Sequence, residues 1–137
     1  MTALTSEQVL TATDDLIAAF AATDTAAYFA WFSADATFVF HPEPARFDNR
    51  GAYEAVWASW LEAGWRVVSC TSTDRLVQLL GHVAVMTHTV NTVTSDGGTE
   101  TATRERETIV FVLDGDRLLA VHEHLSPTPA VNRTENP

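Results

Sequence analysis

Apolar residues recur with a helical period in the first part of the chain. Leu16 and Ile17 come two turns after Val9 on one helix face, and Thr5 with Gln8 forms the pattern of a capping box before them. This pattern predicts a first helix that ends near residue 22. Further caps and apolar spacings predict a second helix over residues 24–32 and a third over residues 49–64. A brief strand is predicted between them, over residues 36–40.

From residue 65 onwards the pattern becomes that of strands. Four long segments rich in Val, Thr, Leu and Ile are separated by turns that contain glycine, and they cover residues 66–80, 82–94, 100–113 and 117–126. Strands of this length twist and curl, and helices on the concave face make the compact arrangement. We therefore predict an α+β fold in which a cone-shaped, curved antiparallel β-sheet wraps around three N-terminal helices. Residues 1–137 form one predicted domain, with a folded core over 5–126 and a flexible tail over 127–137.

Composition and charge limit the classes of molecule that this protein is predicted to bind. The chain of 137 residues is 46% hydrophobic, has a formal net charge of −10, and carries arginine at all eight of its basic positions. Because these arginines form no basic cluster, nucleic acid and an anionic membrane are excluded as predicted partners. Cys70 is the single cysteine, so no disulfide can form within the chain, and the first ten residues lack the pattern of a secretory signal. We predict a cytoplasmic protein.

Two stretches of sequence carry a family resemblance. Glu107-Thr108, Asp114-Gly115 and residues 121–126 resemble the end of the association domain of calcium/calmodulin-dependent protein kinase II and of bacterial SnoaL-like proteins, and residues 36–42 resemble the first strand of ketosteroid isomerases. Over residues 5 to about 129, the order of elements is similar to the nuclear transport factor 2-like superfamily. The resemblance implies a cystatin-like fold, a homodimer through the sheet, a pocket between the helices and the concave face, and no cofactor or metal.

The chain departs from both relatives at the residues that bind their ligands. The ketosteroid isomerase base is an aspartate, and His41 occupies the matching position here. The arginines of the kinase association domain are matched by Ile109 and Leu125, which are apolar. The ligand of neither family is therefore transferred to this chain.

Alternation along the last two strands predicts which side chains enter the pocket. One face carries the bulkier apolar residues together with two glutamates, and we assign it to the concave side; its members are Glu107, Ile109, Phe111, Leu113, Leu119, Val121, Glu123 and Leu125. A carboxyl group on an apolar wall has a raised pKa, so Glu107 and Glu123 are candidates for acid and base roles. The alternative is that Glu123 lies in water at the rim and that Glu107 pairs with Arg104 or Arg106.

Histidines supply a third candidate for catalysis. His41 ends a predicted strand beside a proline turn, and imidazole titrates near neutral pH, so it could serve as the base; the alternative is an exposed turn residue. His122 and His124 stand two apart on one strand, a spacing that can bind a metal together with His41 or His88. The alternative for this pair is packing at a dimer interface or beside Arg106.

Aromatic residues on the second and third helices are predicted to be mostly core. Some of them lie where pocket mouths occur in the fold that the resemblance implies, and with the apolar wall they give the predicted substrate-contacting set of Tyr53, Trp57, Trp60, Ile109, Phe111 and Leu125. The leading hypothesis is a protein that binds a small hydrophobic molecule and catalyses cofactor-free isomerisation, dehydration or cyclisation. The alternative is a non-catalytic module for ligand binding, association or dimerisation.

Overall fold

Three helices precede a five-stranded sheet. The computed structural model describes residues 3–129, and its elements are α1 (Ser6–Ala21), α2 (Thr25–Phe29), β1 (Phe32–Phe40), α3 (Arg50–Glu62), β2 (Trp65–Leu80), β3 (Val83–Asp96), β4 (Thr99–Asp114) and β5 (Arg117–Pro127). The predicted α+β class is confirmed. No helix in residues 3–129 is long and apolar enough to span a membrane. Most of the predicted tail, residues 130–137, lies outside the described residues.

Side-chain caps begin all three helices. Thr5 and Gln8 form the predicted capping box of α1, and Asp24 and Asn49 accept backbone hydrogen bonds at the starts of α2 and α3. The prediction that the second helix continues to residue 32 is wrong. The helix ends at Phe29, and Phe32 begins β1 opposite Ala120 of β5. Tertiary pairing with the sheet therefore overrides the helical spacing of these aromatic residues.

The sheet has the strand order β1-β5-β4-β3-β2. The four long strands form the predicted antiparallel meander, whereas β1 pairs with β5 in parallel at the edge of the sheet. Alternation along single strands carries no information about this parallel pair. The parallel pairing of β1 with β5 matters for the site because it places Phe38 directly beside Glu123.

A β-bulge in β5 changes which residues face inward. Val110 pairs with His122 while Phe111 pairs with Ala120, so Val121 is an extra residue without a partner on β4. Ala120 is consequently buried in the core opposite Phe111. Because one extra residue reverses the side to which later side chains point, the predicted inward face holds for Glu123 and Leu125. It is wrong for Leu119, which pairs with Val112 on the outer face, and for Val121.

The core lies between α1, α2, α3 and the concave face of the sheet. Its largest fully buried side chains include Trp57, Phe32, Phe38 and Phe111. The indole Nε1 of Trp57 donates a 2.9 Å hydrogen bond to Oγ1 of Thr25, which satisfies the only polar atom of that side chain. Dense aromatic packing on one side of α3 thus fixes the helix against the sheet and leaves its neighbouring side to form a cavity wall.

Candidate functional site

A cavity of about 370 Å³ opens between α3 and the concave face; we call it the outer cavity. Its volume is within the range of small-molecule sites. The mouth, as we call it, is the part of the lining that includes all of its exposed residues; Pro42, Ala63 and Asp96 are exposed there, and Glu43, Trp60 and Trp65 are half-buried. The rest of the lining, which we call the floor, has no exposed residue; Tyr28, Phe40, Tyr53 and Glu123 are buried there, and Phe20, Glu107 and Leu125 are half-buried.

Glu123 is the most deeply buried acid of the floor. It lies between Phe38 of β1 and Ile109 of β4 in the sheet and is 1% exposed. Its Oε2 atom has no hydrogen-bond partner among residues 3–129. Burial away from water raises the pKa of Glu123 well above its ordinary value, and the nearby negative charge of Glu107 raises it further. The raised pKa favours the neutral carboxylic acid form of Glu123, which can donate a proton or a hydrogen bond.

Glu107 is held by a histidine on the neighbouring strand. Oε1 of Glu107 lies 2.8 Å from Nε2 of His88, and Nδ1 of His88 lies 2.5 Å from Oγ of Ser72. Since a carboxylate only accepts hydrogen bonds, Nε2 of His88 donates, and Nδ1 of the neutral ring then accepts from the Ser72 hydroxyl. The predicted alternative, in which Glu107 pairs with Arg104 or Arg106, is wrong because register places Glu107 opposite His88. Glu107 is thus held in place by His88, next to the buried carboxyl group of Glu123.

Two tyrosine hydroxyls complete the polar part of the floor. The hydroxyl oxygens of Tyr28 and Tyr53 are 3.0 Å apart, and both side chains are buried. Burial raises the pKa of both phenols well above the ordinary value, and the charge of Glu123 would raise it further. Both remain neutral hydroxyls at any physiological pH. One of them donates to the other, which leaves a proton free to point toward a ligand.

A second cavity of about 170 Å³ continues from the floor toward β2 and β3; we call it the inner chamber. It shares Phe20, Tyr28, Glu107, Glu123 and Leu125 with the outer cavity. Its remaining wall is rich in hydroxyls and includes Thr92, Thr94 and Thr103. Cys70 also lines it, and burial raises the pKa of its thiol to about 11, so the cysteine stays protonated. Besides these weak hydrogen-bonding groups, the carboxyl groups of Glu105, Glu107 and Glu123 line the inner chamber.

The predicted substrate-contacting residues divide into two groups. Tyr53, Trp60 and Leu125 line the outer cavity. The other three are completely buried and line neither cavity; they are Trp57, Ile109 and Phe111. Each of these three side chains is packed within the core in this structure, and their contact with a substrate stays a prediction. They support the floor from behind.

His41 does not line either cavity. Its Nε2 lies 2.5 Å from Oε2 of Glu105, and its side chain is 35% exposed. Oε1 of Glu105 also accepts a 3.3 Å hydrogen bond from the Thr103 hydroxyl. The imidazole is therefore bound to Glu105, a buried acid that lines the inner chamber. This geometry does not bring His41 together with Glu107 and Glu123, although the next two residues, Pro42 and Glu43, do line the outer cavity.

His122 and His124 lie on the outer face of the sheet, away from both carboxyls. Nδ1 of His122 is 2.7 Å from the Thr37 hydroxyl, and partial burial, with the neighbouring His124, lowers its pKa. His41 and His88 are bound to Glu105 and Glu107 on the concave side. Within residues 3–129, no group of three or more His, Cys, Asp or Glu side chains is arranged to hold a metal. The metal alternative therefore lacks a third ligand in this part of the chain.

Several residues of the site were not predicted from the sequence. Tyr28 belongs to the second-helix aromatic residues that are predicted to be mostly core, and His88 is predicted only as a possible metal ligand. Trp65 and Asp96 were not singled out, although they pair with each other at the start of the β2–β3 ladder. The alternation Met86, His88, Val90 along β3 could have placed His88 on the buried face, but its partner depends on register between strands.

Known proteins were compared with this chain by sequence and by structure. The SnoaL-like domain family matches residues 9–130. Among solved structures, an association-domain-like protein from Xanthomonas campestris has a TM-score of 0.78 at 19% identity, with 93% of this chain and 91% of that chain covered. A dehydratase-like member of the NTF2-like family from Streptomyces avermitilis has a TM-score of 0.78 at 24% identity, covering 90% and 96%.

A protein with a cystatin-like fold from Nostoc punctiforme has a TM-score of 0.70 at 11% identity, covering 96% of this chain and 99% of that chain. At these identities the likeness to solved structures shows the fold alone. No curated protein matches the chain at a significant level.

Proposed function

Because this chain belongs to the SnoaL-like domain family of the nuclear transport factor 2-like superfamily, we propose that it catalyses cofactor-free acid–base chemistry on a small hydrophobic molecule. The reaction that its side chains support best is loss of water from a β-hydroxy carbonyl compound. Isomerisation and cyclisation use the same proton transfers. The observation that carries the proposal is the buried, unpartnered carboxyl of Glu123 beside the fixed carboxylate of Glu107.

The two carboxyl groups have the different surroundings that acid–base catalysis requires, because Glu123 is buried without a partner and Glu107 is hydrogen-bonded to His88. Glu107 pairs with Leu125 and Glu123 with Ile109, so the two acids are diagonal neighbours on adjacent strands. Such neighbours have Cα atoms about 7–8 Å apart, which leaves room for a substrate carbon chain between the side chains. One neutral acid and one carboxylate at this spacing can give and take a proton on the same molecule.

The elimination balances without any further reagent. Glu107 takes the proton from the carbon next to the carbonyl, the new C=C bond forms, and the C–O bond to the hydroxyl breaks. Glu123 gives its proton to the departing hydroxyl, which leaves as water. Glu107 is then protonated and Glu123 is ionised, and exchange of a proton with solvent restores the starting states. The Tyr28–Tyr53 hydroxyl pair is positioned to donate to the carbonyl oxygen as negative charge develops there.

The walls support an apolar substrate. Six aromatic side chains line the outer cavity, namely Phe20, Tyr28, Phe40, Tyr53, Trp60 and Trp65. Exclusion of water by these rings favours the neutral form of Glu123 and strengthens each hydrogen bond to the substrate. A dehydratase-like name is also given to one structural neighbour, at 24% identity, which supports the choice of elimination within this broad superfamily.

The experiment uses two ketones of suitable size. Exchange of the α-protons of 2-tetralone in D₂O, followed by NMR, reports on Glu107, and conversion of 4-hydroxy-4-phenylbutan-2-one to its enone reports on the full elimination. We expect both rates to exceed the buffer rate. Glu107→Gln should lower both by roughly 100-fold or more, and Glu123→Gln should lower the elimination by a similar factor.

Glu62→Gln is the matched control, since Glu62 is an exposed acid on α3 that does not line the outer cavity. Its rates should equal those of the wild type. Rates at the buffer level for both ketones would contradict the proposal. If 2-tetralone binds without any exchange, the alternative of a non-catalytic ligand-binding module is favoured instead.

A further inference from the structure

The mouth of the outer cavity combines tryptophan rings with carboxylates. Within residues 3–129, the lining contains four acids, Glu43, Asp96, Glu107 and Glu123, and no arginine or histidine. Lysine is absent from the whole chain. Asp96 is exposed and Glu43 is half-buried, so these two are at the mouth, in contact with solvent. The entrance to the cavity is therefore negatively charged on a protein whose formal net charge is already −10.

The two tryptophans form a corner at this entrance. The ring centroids of Trp60 and Trp65 are 5.2 Å apart, and their planes are inclined by 58°. Trp65 packs edge-on against Trp57 at 5.1 Å, and Trp60 packs against Tyr53 at 6.2 Å, so buried rings hold both indoles in place. The faces of tryptophan rings attract a cation within about 6 Å, more strongly than other aromatic side chains.

The acids at the mouth are not used by the fold. Neither Glu43 nor Asp96 forms a salt bridge with a residue in the described range 3–129. Independent evidence for a ligand comes from the floor, where the buried Oε2 of Glu123 has no hydrogen-bond partner among these residues. Buried polar atoms are nearly always paired, and a ligand in the outer cavity is the partner that the geometry allows.

We propose that the mouth of the outer cavity is a cation subsite and that the ligand is an apolar molecule bearing an ammonium group. The ammonium lies against Trp60 and Trp65, with Glu43 and Asp96 as counter-charges, while the apolar body reaches the floor. This inference rests on the proposed function only in that it assigns the charge of the molecule taken by the same cavity. It disfavours carboxylates, phosphates and other anions as substrates, because acids stand at the mouth and no arginine or histidine among residues 3–129 lines the cavity.

Three probes of the same shape and different charge test the proposal. Phenyltrimethylammonium, tert-butylbenzene and benzenesulfonate each carry a tetrahedral group on a phenyl ring, with charges of +1, 0 and −1. Isothermal titration calorimetry of the full chain with each probe should show the cation binding roughly tenfold or more tightly than the neutral probe, as aromatic and acidic contacts together supply more than 1 kcal/mol. The anion should show no measurable binding.

Two variants assign the preference to the mouth. The double variant Glu43→Gln/Asp96→Asn should weaken binding of the cation about five- to tenfold and leave the neutral probe unchanged, which also shows that the variant is folded. Glu62→Gln removes one carboxylate charge from the neighbouring surface of α3 and should change cation binding by less than about twofold. Trp65→Leu should weaken the cation about two- to fivefold.

Several results would overturn the cation subsite. These are equal affinities for the cation and the neutral probe, no binding of any of the three, an unchanged affinity in the double variant, or an equal loss in Glu62→Gln. Because the readout is binding, its failure is distinct from failure of the proposed reaction. Cation preference without proton exchange on 2-tetralone would reject the acid–base chemistry and support the cation subsite. Proton exchange without cation preference would reject the subsite and support the acid–base chemistry.

Discussion

Nε2 of His88 lies 2.8 Å from Oε1 of Glu107, and this pair connects two neighbouring strands inside the cone. The imidazole is fully buried and is oriented from its other side by the Ser72 hydroxyl at 2.5 Å. One polar chain therefore extends from β2 through β3 to β4 and ends at the cavity floor. The geometry fixes the direction in which Glu107 points.

Removing the Ser72 hydroxyl should loosen this chain. In Ser72→Ala the buried Nδ1 of His88 loses its partner, and we expect the free energy of unfolding to fall by about 1–3 kcal/mol. We also expect kcat for 2-tetralone exchange to fall several-fold while KM changes little, since Ser72 acts by positioning. Nitrogen NMR should show a shifted Nδ1 signal for His88 from the lost hydrogen bond, while the proton stays on Nε2 beside Glu107. Ser69→Ala, on an exposed serine of the same strand, should change none of these quantities.

The buried acid should make stability depend on pH. Because the folded-state pKa of Glu123 is raised, the folded chain binds a proton more tightly than the unfolded chain. Its contribution is complete below the unfolded pKa of about 4.3 and is lost as pH rises toward the folded pKa, with a slope of up to about 1.4 kcal/mol per pH unit. The charged or titratable groups beside it are Glu107, Tyr28 and Tyr53.

Glu123→Gln removes this titration while keeping the shape of the side chain. Urea unfolding between pH 5 and pH 9 should therefore show the variant gaining stability relative to the wild type as pH rises. Glu7→Gln, at an exposed position of α1, should follow the wild type. A constant difference between Glu123→Gln and the wild type over this range would contradict a raised pKa.

The tyrosine pair should show strong energetic coupling. The hydroxyls of Tyr28 and Tyr53 are 3.0 Å apart in a buried setting, so Tyr28→Phe or Tyr53→Phe leaves the remaining hydroxyl without its partner. Each single variant should lose about 1–3 kcal/mol of unfolding free energy. The double variant should lose no more than the larger single loss, because both polar groups are then absent. Additive losses in a double-mutant cycle would show that the hydrogen bond contributes little.

The homodimer through the sheet stays a prediction, and the outer face suggests where to test it. A row of apolar residues crosses four strands there through the pairs Leu80–Val83, Val83–Val112 and Val112–Leu119. Leu80 is 62% exposed. Sedimentation velocity should give a dimer for the wild type and a monomer for Val112→Arg, since a buried unpaired charge opposes association. Thr99→Arg, at an exposed position where β4 begins, should remain dimeric.

The sequence predicts elements better than it predicts neighbours. Caps at Thr5, Asp24 and Asn49 fix the helix starts through local hydrogen bonds, and alternation identifies the long strands. Glu107 and Glu123 could be recognised because an acid on an apolar strand face is conspicuous. The pairing of Glu107 with His88 could not be recognised in the same way, since it depends on the register between distant segments. Trp57 is buried in the core whereas Trp60 lines the outer cavity, and this difference depends on how α3 is rotated against the sheet.

The extra residue in β5 has a consequence for how this interior could diversify. If the strand paired regularly from Ala120 with its length unchanged, His122 and His124 would turn inward and Glu123 outward. Deletion of Val121 would instead keep Glu123 inward, because Glu123 would then follow Ala120 by two residues. The carboxyl lining of the hollow therefore requires either the extra residue in its bulge or a strand shorter by one, and homologues that pair regularly at the full length are where an imidazole lining is expected.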